Sequence, residues 1–386
     1  MNQFQTLALF CKVVDNYGDI GICWRLARQL VREHGIAVTL WVDDLASFAR
    51  ICPQVDPLAA AQQVAGVSIY HWRDQEGSYY PEDVADIVIE FFAVDIPPGY
   101  VTAMAQRQVR PVWLNLEGLT AEEWVEGCHT LPSMHPRLPL TKHFFFPGFT
   151  GKTGGLLREA ELFDERDRFQ RDPAALSAFL GGLGLEAAER AACKVSLFCY
   201  PHAPVAGLFD AWQRGSAPVV CLVPEGVVKD EVRGFLGVEP ASGAVRTQGM
   251  LTVRVLPFVP QADYDRLLWA CDVNIVRGED SFVRAQWANR PFAWHIYPQD
   301  ENLHHKKLRA FLLRYCAAQF GGNAAALERF TLAFNGVEQD ADWAALWESL
   351  SGSLDQLACR SANWQNALLE NGDLAANLLA FADSTR

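Results

Sequence analysis

The sequence lacks the short signatures that mark the commonest nucleotide and metal sites. No GxGxxG opens a helix after a strand-like run, which excludes the dinucleotide fingerprint, and no GxxxxGK[ST] is present, which excludes a P-loop. Gly148-Phe149-Thr150-Gly151-Lys152-Thr153-Gly154-Gly155 holds the lysine and threonine of such a loop, but they are not preceded by the required GxxxxG, so the stretch reads as a hinge. The cysteines at 11, 23, 52, 128, 193, 199, 221, 271, 316 and 359 form no CxxC pair, which argues for buried free thiols in a reducing cytoplasm over disulfides or zinc. Met1 to Thr6 carries no basic residue ahead of the first apolar run, and that run ends at Lys12 and Asp15; neither a signal peptide nor a membrane span is expected. Basic charge is also short: 33 Lys and Arg face 46 Asp and Glu, and a formal charge of −13 repels polyanions, which excludes a nucleic-acid partner. His295, His304 and His305 are the remaining metal candidates. His304 and His305 are adjacent and point apart on a helix, so they are expected to be surface polar residues, with no metal bound.

What is present is enough apolar material for two cores. The chain has 386 residues, 50% of them hydrophobic, with 12 Trp and 23 Phe, and its length exceeds one ordinary core. Leu7–Val14, Ala37–Val42, Val67–Trp72, Ile87–Phe92 and Val112–Leu116 are strand-like runs separated by helical patterns, the texture of a doubly wound parallel sheet. Pro132 to Pro147, with the block His143-Phe144-Phe145-Phe146, reads as an irregular loop. A second alternating series follows at Val195–Pro201, Val219–Pro224, Leu251–Phe258 and Cys271–Val276, and Leu357–Ala382 reads as an amphipathic helix. The expected division is 1–152 and 153–360, with the helix at about 361–386 packing back on the first domain.

Two polar, glycine-containing loops stand at strand-to-helix junctions, where open parallel sheets bind ligands. The first, Val13 to Gly21, carries Asp15 and Asp19. Asp19 is placed either to cap the following helix or to do chemistry, and Asp15 either to close an Asx-turn or to join it; the residues alone leave both readings open. Glu90 and Glu117 fall near strand ends, where a solvated polar residue is the simpler reading. In the second loop, Arg277-Gly278-Glu279-Asp280-Ser281, Ser281 or Asp280 is placed to cap the next helix. That helix's N-terminus suits a phosphate, and Arg277 and Arg284 are available counter-charges.

Val14-Asp15-Asn16-Tyr17-Gly18-Asp19-Ile20-Gly21 with Cys23 to Arg28, then Arg277 to Arg284, then Trp294-His295-Ile296-Tyr297-Pro298-Gln299-Asp300-Glu301, closely resemble in the same order the motifs of the bacterial elongation factor P arginine rhamnosyltransferases (EarP). The resemblance runs over essentially the whole chain. It implies an α/β chain of the GT-B glycosyltransferase fold, two Rossmann-like domains facing a central cleft. It also implies inverting, metal-independent transfer of L-rhamnose from dTDP-β-L-rhamnose to an arginine of elongation factor P, which activates the factor for relief of ribosome stalling at polyproline. By the same match Asp19 is the general base and Asp15 its support. Asn16, Tyr17, Gly18, Phe198, Tyr200, Phe258, Gln261, Arg277, Glu279, Asp280, Ser281 and Tyr297 form the donor site. No cofactor, no membrane and a monomer are expected. The competing readings are a small-molecule glycosyltransferase or epimerase, which needs no acidic clamp for a cationic acceptor, and a non-catalytic binding protein in which the two aspartates are caps.

Overall fold

The structure, a computed structural model, describes residues 4–15, 17–73, 79–319, 324–338 and 340–385. It divides into two compact units, Met1–Ala160 with Leu368–Arg386, and Glu161–Ala367.

The first unit is built on an eight-stranded sheet of β1 (Thr6–Cys11), β2 (Ala37–Val42), β3 (Ala61–Val64), β4 (Val67–His71), β5 (Ile87–Phe91), β6 (Val112–Leu116), β7 (Pro132–Met134) and β8 (Thr141–Phe145). Their spatial order is β3-β4-β2-β1-β5-β6-β8-β7. The six inner strands are parallel, while β3 runs antiparallel to β4 and β7 antiparallel to β8 at the two edges. Strands covered on both faces need continuous apolar runs, and β5 and β6 are buried at every position. Of the block His143 to Phe146, expected in an irregular loop, the first three residues instead supply the end of β8. His143 and Phe145 meet Phe381 with ring centres 5.3 and 5.9 Å apart. The sequence of β8, Thr141-Lys142-His143-Phe144-Phe145, carries no alternation of polar and apolar residues and is flanked by prolines, so nothing marked it as a strand.

The division falls at 160/161 rather than at 152/153 because the segment after the glycine-rich turn is tied to the first unit. Leu156 pairs with Asp373, Glu159 lies 3.5 Å from Arg25, and the Ala160 N–H donates to Glu33 at 2.9 Å. The single C-terminal helix expected over Leu357–Ala382 is two, Leu354–Leu369 and Leu374–Ser384. Gly372 at φ 73° breaks it, and Asp373 caps the second piece by accepting from the Ala375 and Ala376 N–H groups. Trp364 and Gln365 on the first piece hydrogen-bond Gln286, which keeps that helix in the second unit. The second piece packs on the helix Gly18–His34 of the first unit.

The second unit has a six-stranded sheet of β9 (Cys193–Leu197), β10 (Val219–Pro224), β11 (Val245–Gln248), β12 (Leu251–Leu256), β13 (Val273–Arg277) and β14 (Phe292–His295). The order is β11-β12-β10-β9-β13-β14, with β11 alone antiparallel. In each sheet the chain works outward to one side and then crosses back past the first strand. The order therefore reverses at β1/β5 in one unit and at β9/β13 in the other, the places where an open parallel sheet opens a crevice at its carboxyl edge.

Candidate functional site

The loop after β1 lies at the first of these reversals. Asp19 is not the cap of the helix Gly18–His34: Tyr17 occupies that position without a side-chain cap bond, and Asp19 sits in the first turn, 4% exposed. Its Oδ2 instead accepts the N–H groups of Val14 and Asp15, at 2.7 and 2.8 Å. The carboxylate thus reaches backward and holds the loop that precedes it. Asp15 turns its own carbonyl to the Gly18 N–H at 2.8 Å, and a Cβ on Gly18 would lie 3.4 Å from Asp15 Oδ2. The second carboxylate therefore rests over the start of a helix, where the dipole favours negative charge. On the far side of the loop Asp43 Oδ1 accepts the Val13 N–H at 2.9 Å. Tyr17 is half-buried beside the pair, and Asn16 lies outside the described residues.

Across the reversal, at the end of β5, Phe92 and Ala93 have φ of 54° and 52°, strained for residues with side chains. Buried Asn115 holds them: its Oδ1 accepts the Ala93 N–H at 2.9 Å and its Nδ2 donates to Glu117 at 2.6 Å. Glu90 does not meet solvent as expected. It is 3% exposed and paired with Lys142, and burial pushes its carboxyl up against the pull of that lysine.

At the second reversal, the residues that follow β9 and β13 converge. The Arg277 guanidinium carbon lies 4.3 Å from the centre of the Phe198 ring and 4.9 Å from that of Tyr200, and Nη1 donates to the Cys199 carbonyl at 3.3 Å. Gly278 takes φ 60°, which turns its carbonyl to the Trp294 indole N–H at 2.8 Å. Glu279 is the cap residue of the helix Asp280–Trp287 without a side-chain cap bond. Neither Ser281 nor Asp280 caps it. The Ser281 hydroxyl donates to the Arg277 carbonyl and accepts its N–H, closing the loop on itself, while Asp280 Oδ2 accepts from Gln261 Nε2 at 3.2 Å. Glu279 pairs with Lys307 at 3.3 Å. Tyr297, 51% exposed, meets Tyr200 edge-on at 5.4 Å, and Phe258 stands half-buried past the end of β12.

The profile of the family described as "Elongation-Factor P (EF-P) rhamnosyltransferase EarP" matches residues 7–383. The chain belongs to the EarP family. A protein-arginine rhamnosyltransferase of Pseudomonas putida is 49% identical over 377 residues, 97% of this chain and 98% of its own. One of Pseudomonas aeruginosa is 47% identical over 376 residues, 97% of each chain. A solved structure presented as "Structural basis for EarP-mediated arginine glycosylation of translation elongation factor EF-P" is 37% identical, covers 99% of both chains and superposes with a TM-score of 0.69. The two Rossmann-like units are accordingly those of a GT-B glycosyltransferase, and the chain is an enzyme of that class.

Within this EarP chain the described site residues expected from sequence lie at two carboxyl edges, Asp15, Tyr17, Gly18 and Asp19 on the first unit and Phe198, Tyr200, Phe258, Gln261, Arg277, Glu279, Asp280, Ser281 and Tyr297 on the second. Arg284 is not an available counter-charge. It is 2% exposed and forms a two-pronged pair with Asp265 at 2.9 and 2.8 Å. The histidines are not surface polar residues either. His295 and His304 are 1% and 7% exposed, His304 Nδ1 accepts the Gln299 N–H at 3.0 Å, and His305 contacts the Asn335 carbonyl at 3.2 Å. Among the described residues no group of three or more His, Cys, Asp or Glu could hold a metal ion, and no helix is long and apolar enough to cross a membrane. Sequence reasoning missed the Phe92-Ala93 turn and Lys307. The register Arg277↔His295 between β13 and β14 was also invisible to it, because β14 is only four residues long.

Proposed function

We propose that this chain transfers L-rhamnose from dTDP-β-L-rhamnose to one arginine of elongation factor P, with inversion at the anomeric carbon. The product activates the factor for relief of ribosome stalling at polyproline. The observation that carries this reading is the acidic loop of an EarP-family chain: one buried aspartate locked by two amides and a second laid over a helix N-terminus. An arginine keeps its proton, with a pKa above ~12, and is a poor nucleophile while charged. A carboxylate pair addresses both difficulties. Asp15 engages the fork of N–H groups, and Asp19 orients one nitrogen and accepts its proton as the bond to the sugar forms.

In this reading the Nη–C1 bond forms on the face opposite the diphosphate. The C1–O bond breaks, its electron pair leaves with dTDP, and the guanidinium proton passes to Asp19. Inversion follows from that single displacement. The second unit serves the donor: Phe198, Tyr200, Phe258 and Tyr297 offer ring faces and edges, while Gln261, Glu279, Asp280 and Ser281 shape the loop. Arg277 and the N-terminus of the helix Asp280–Trp287 supply the positive field for the departing diphosphate. Those groups take the place of a divalent metal. A cytoplasmic monomer completes the proposal.

Incubation with dTDP-β-L-rhamnose and elongation factor P, with the factor weighed intact, tests it. One rhamnosyl residue gained on a single arginine, in chelator as well as without it, is the expected outcome. Donor turnover with an unmodified factor supports transfer to a small molecule instead, and strict dependence on added divalent metal overturns the metal-free part.

A further inference from the structure

The loop after β9 is held by a side chain from two strands away. The last ladder bond on that edge of β9 runs from the Phe198 N–H to the Ile275 carbonyl at 2.9 Å. Beyond it the chain leaves the sheet, and the Tyr200 N–H has no strand opposite. His295, at the end of β14, fills the position: its Nδ1 accepts the Tyr200 N–H at 3.1 Å. Since β13 lies between β9 and β14, and Arg277 at its end is registered against His295, the imidazole spans the end of β13 to reach the β9 extension. Around it stand the rings of Tyr200, His202 and Phe334, with centres 5.5, 4.7 and 5.2 Å away.

The arrangement fixes the ring's chemical form. An Nδ1 that accepts from an amide carries no proton, so the hydrogen is on Nε2 and the ring is neutral. A second proton would set a donor against a donor at Tyr200. It would also put a buried charge near Arg277, His202 and His304, the cationic or ionisable neighbours that face this ring from β13, from the loop after β9 and from the helix Leu303–Gln319. Burial and those neighbours push His295 down to about 3.

We propose that His295 is a positioning residue for donor binding: its neutral ring pins the Tyr200 backbone and so sets the aromatic seat on which the Arg277 guanidinium rests. It touches neither donor nor acceptor in this role. The inference rests on the proposed donor site, and it explains why a histidine rather than an apolar residue closes a strand in a hydrophobic layer. Phe292 and Trp294 are the apolar residues of the same strand, packed on Phe282 of the helix Asp280–Trp287.

Two substitutions separate the positioning role from simple packing. His295→Phe keeps a ring against Phe334 and Tyr200 but removes the acceptor; His295→Asn keeps an oxygen near the place of Nδ1 but gives up the ring. Calorimetry with dTDP is expected to show about tenfold weaker binding for His295→Phe with a melting temperature near the parent's. For His295→Asn it is expected to show affinity within threefold despite a lowered melting temperature. Affinity that instead follows melting temperature across the two variants, or that is unchanged in His295→Phe, overturns the proposal. Nitrogen NMR of the parent protein gives an independent reading. A neutral Nε2–H ring down to pH 5 is expected, and a ring protonated on Nδ1 or titrating as an ordinary histidine refutes it. Arg277→Ala is the reference. If it also leaves dTDP affinity unchanged, the donor-site reading has failed; if it weakens binding while His295→Phe does not, only the role of His295 has.

Discussion

Replacing Asp19 by asparagine removes a charge and leaves a shape. The side chain still presents an oxygen to the Val14 and Asp15 amides, which now lie 2.7 and 2.8 Å from Oδ2. Hydrogen bonds to a charged group are worth about 1.5–3 kcal/mol and neutral ones about 1 kcal/mol. Exchanging two of the first kind for two of the second costs about 1–4 kcal/mol. At ~2–4 °C per kcal/mol for a domain of this size, the melting temperature falls by several degrees and the fold survives. Asp19→Ala is a different perturbation, because it strands both N–H groups at about 1–3 kcal/mol each and frees the loop. Turnover is expected to separate from stability: about 100-fold or more slower in Asp19→Asn, the scale of a positioned general base, with dTDP affinity at the parent value. Intact-mass kinetics under saturating donor, beside calorimetry and a thermal melt, reads all three quantities. A folded Asp19→Asn protein turning over within about threefold of the parent would leave Asp19 a loop anchor only, and the base would have to be sought elsewhere, with Glu117 and Glu279 the next candidates.

Removal of the Arg277 side chain, or of Glu279, is expected to weaken donor binding at least tenfold, about 1.4 kcal/mol, by calorimetry; unchanged affinity in both removes this loop from the donor site. Acid should destabilise the second unit through His295. Its folded value of about 3 lies below the ~6.5 of an unfolded histidine, so the unfolded chain binds the extra proton between those limits. Stability from this group is then full above pH ~6.5 and lost as pH falls toward 3, by about 2 kcal/mol at pH 5, and denaturant midpoints at pH 7 and 5 should show a difference that His295→Phe reduces by that amount, the remainder belonging to the other depressed histidines, His129, His143, His202 and His304. Gly154→Ala places a Cβ 2.4 Å from a Phe145 ring carbon and 3.1 Å from the Phe146 carbonyl, an overpacking that costs about 1–3 kcal/mol in a melt.

The inner parallel strands were legible because burial on both faces leaves a continuous apolar run, as in Val219–Pro224 and Leu251–Leu256. The edge strands were not. Ala61–Val64 and Val245–Gln248 are short and largely polar, pairing on one side only, and carry no periodicity to read. The two polar loops could be placed because glycine and carboxylates interrupt apolar runs at strand ends. Their side-chain roles could not be placed, since each depends on a partner distant in sequence. Arg284 is taken by Asp265 from the preceding helix, and His295 is fixed by an amide at the end of β9. For Asp19 the choice between cap and chemistry stayed open, because a capping aspartate and one that stands two residues past the cap and reaches back into its own loop share the same local sequence.

The first unit is completed by residues that follow the whole of the second in the chain. Asp373 and Asn377 bind the turn at Gly154 to Leu156, and Gln29 Nε2 on the first helix donates to both the Arg158 carbonyl and Asp373. During synthesis on the ribosome, the second unit has its whole chain available before any of these partners exists, and domains fold as units when their residues have emerged. The inserted unit can therefore finish first. Until the helix Leu374–Ser384 arrives, the nascent first unit waits with the apolar surface that Leu374, Leu378 and Leu379 will cover still open to solvent and to chaperones.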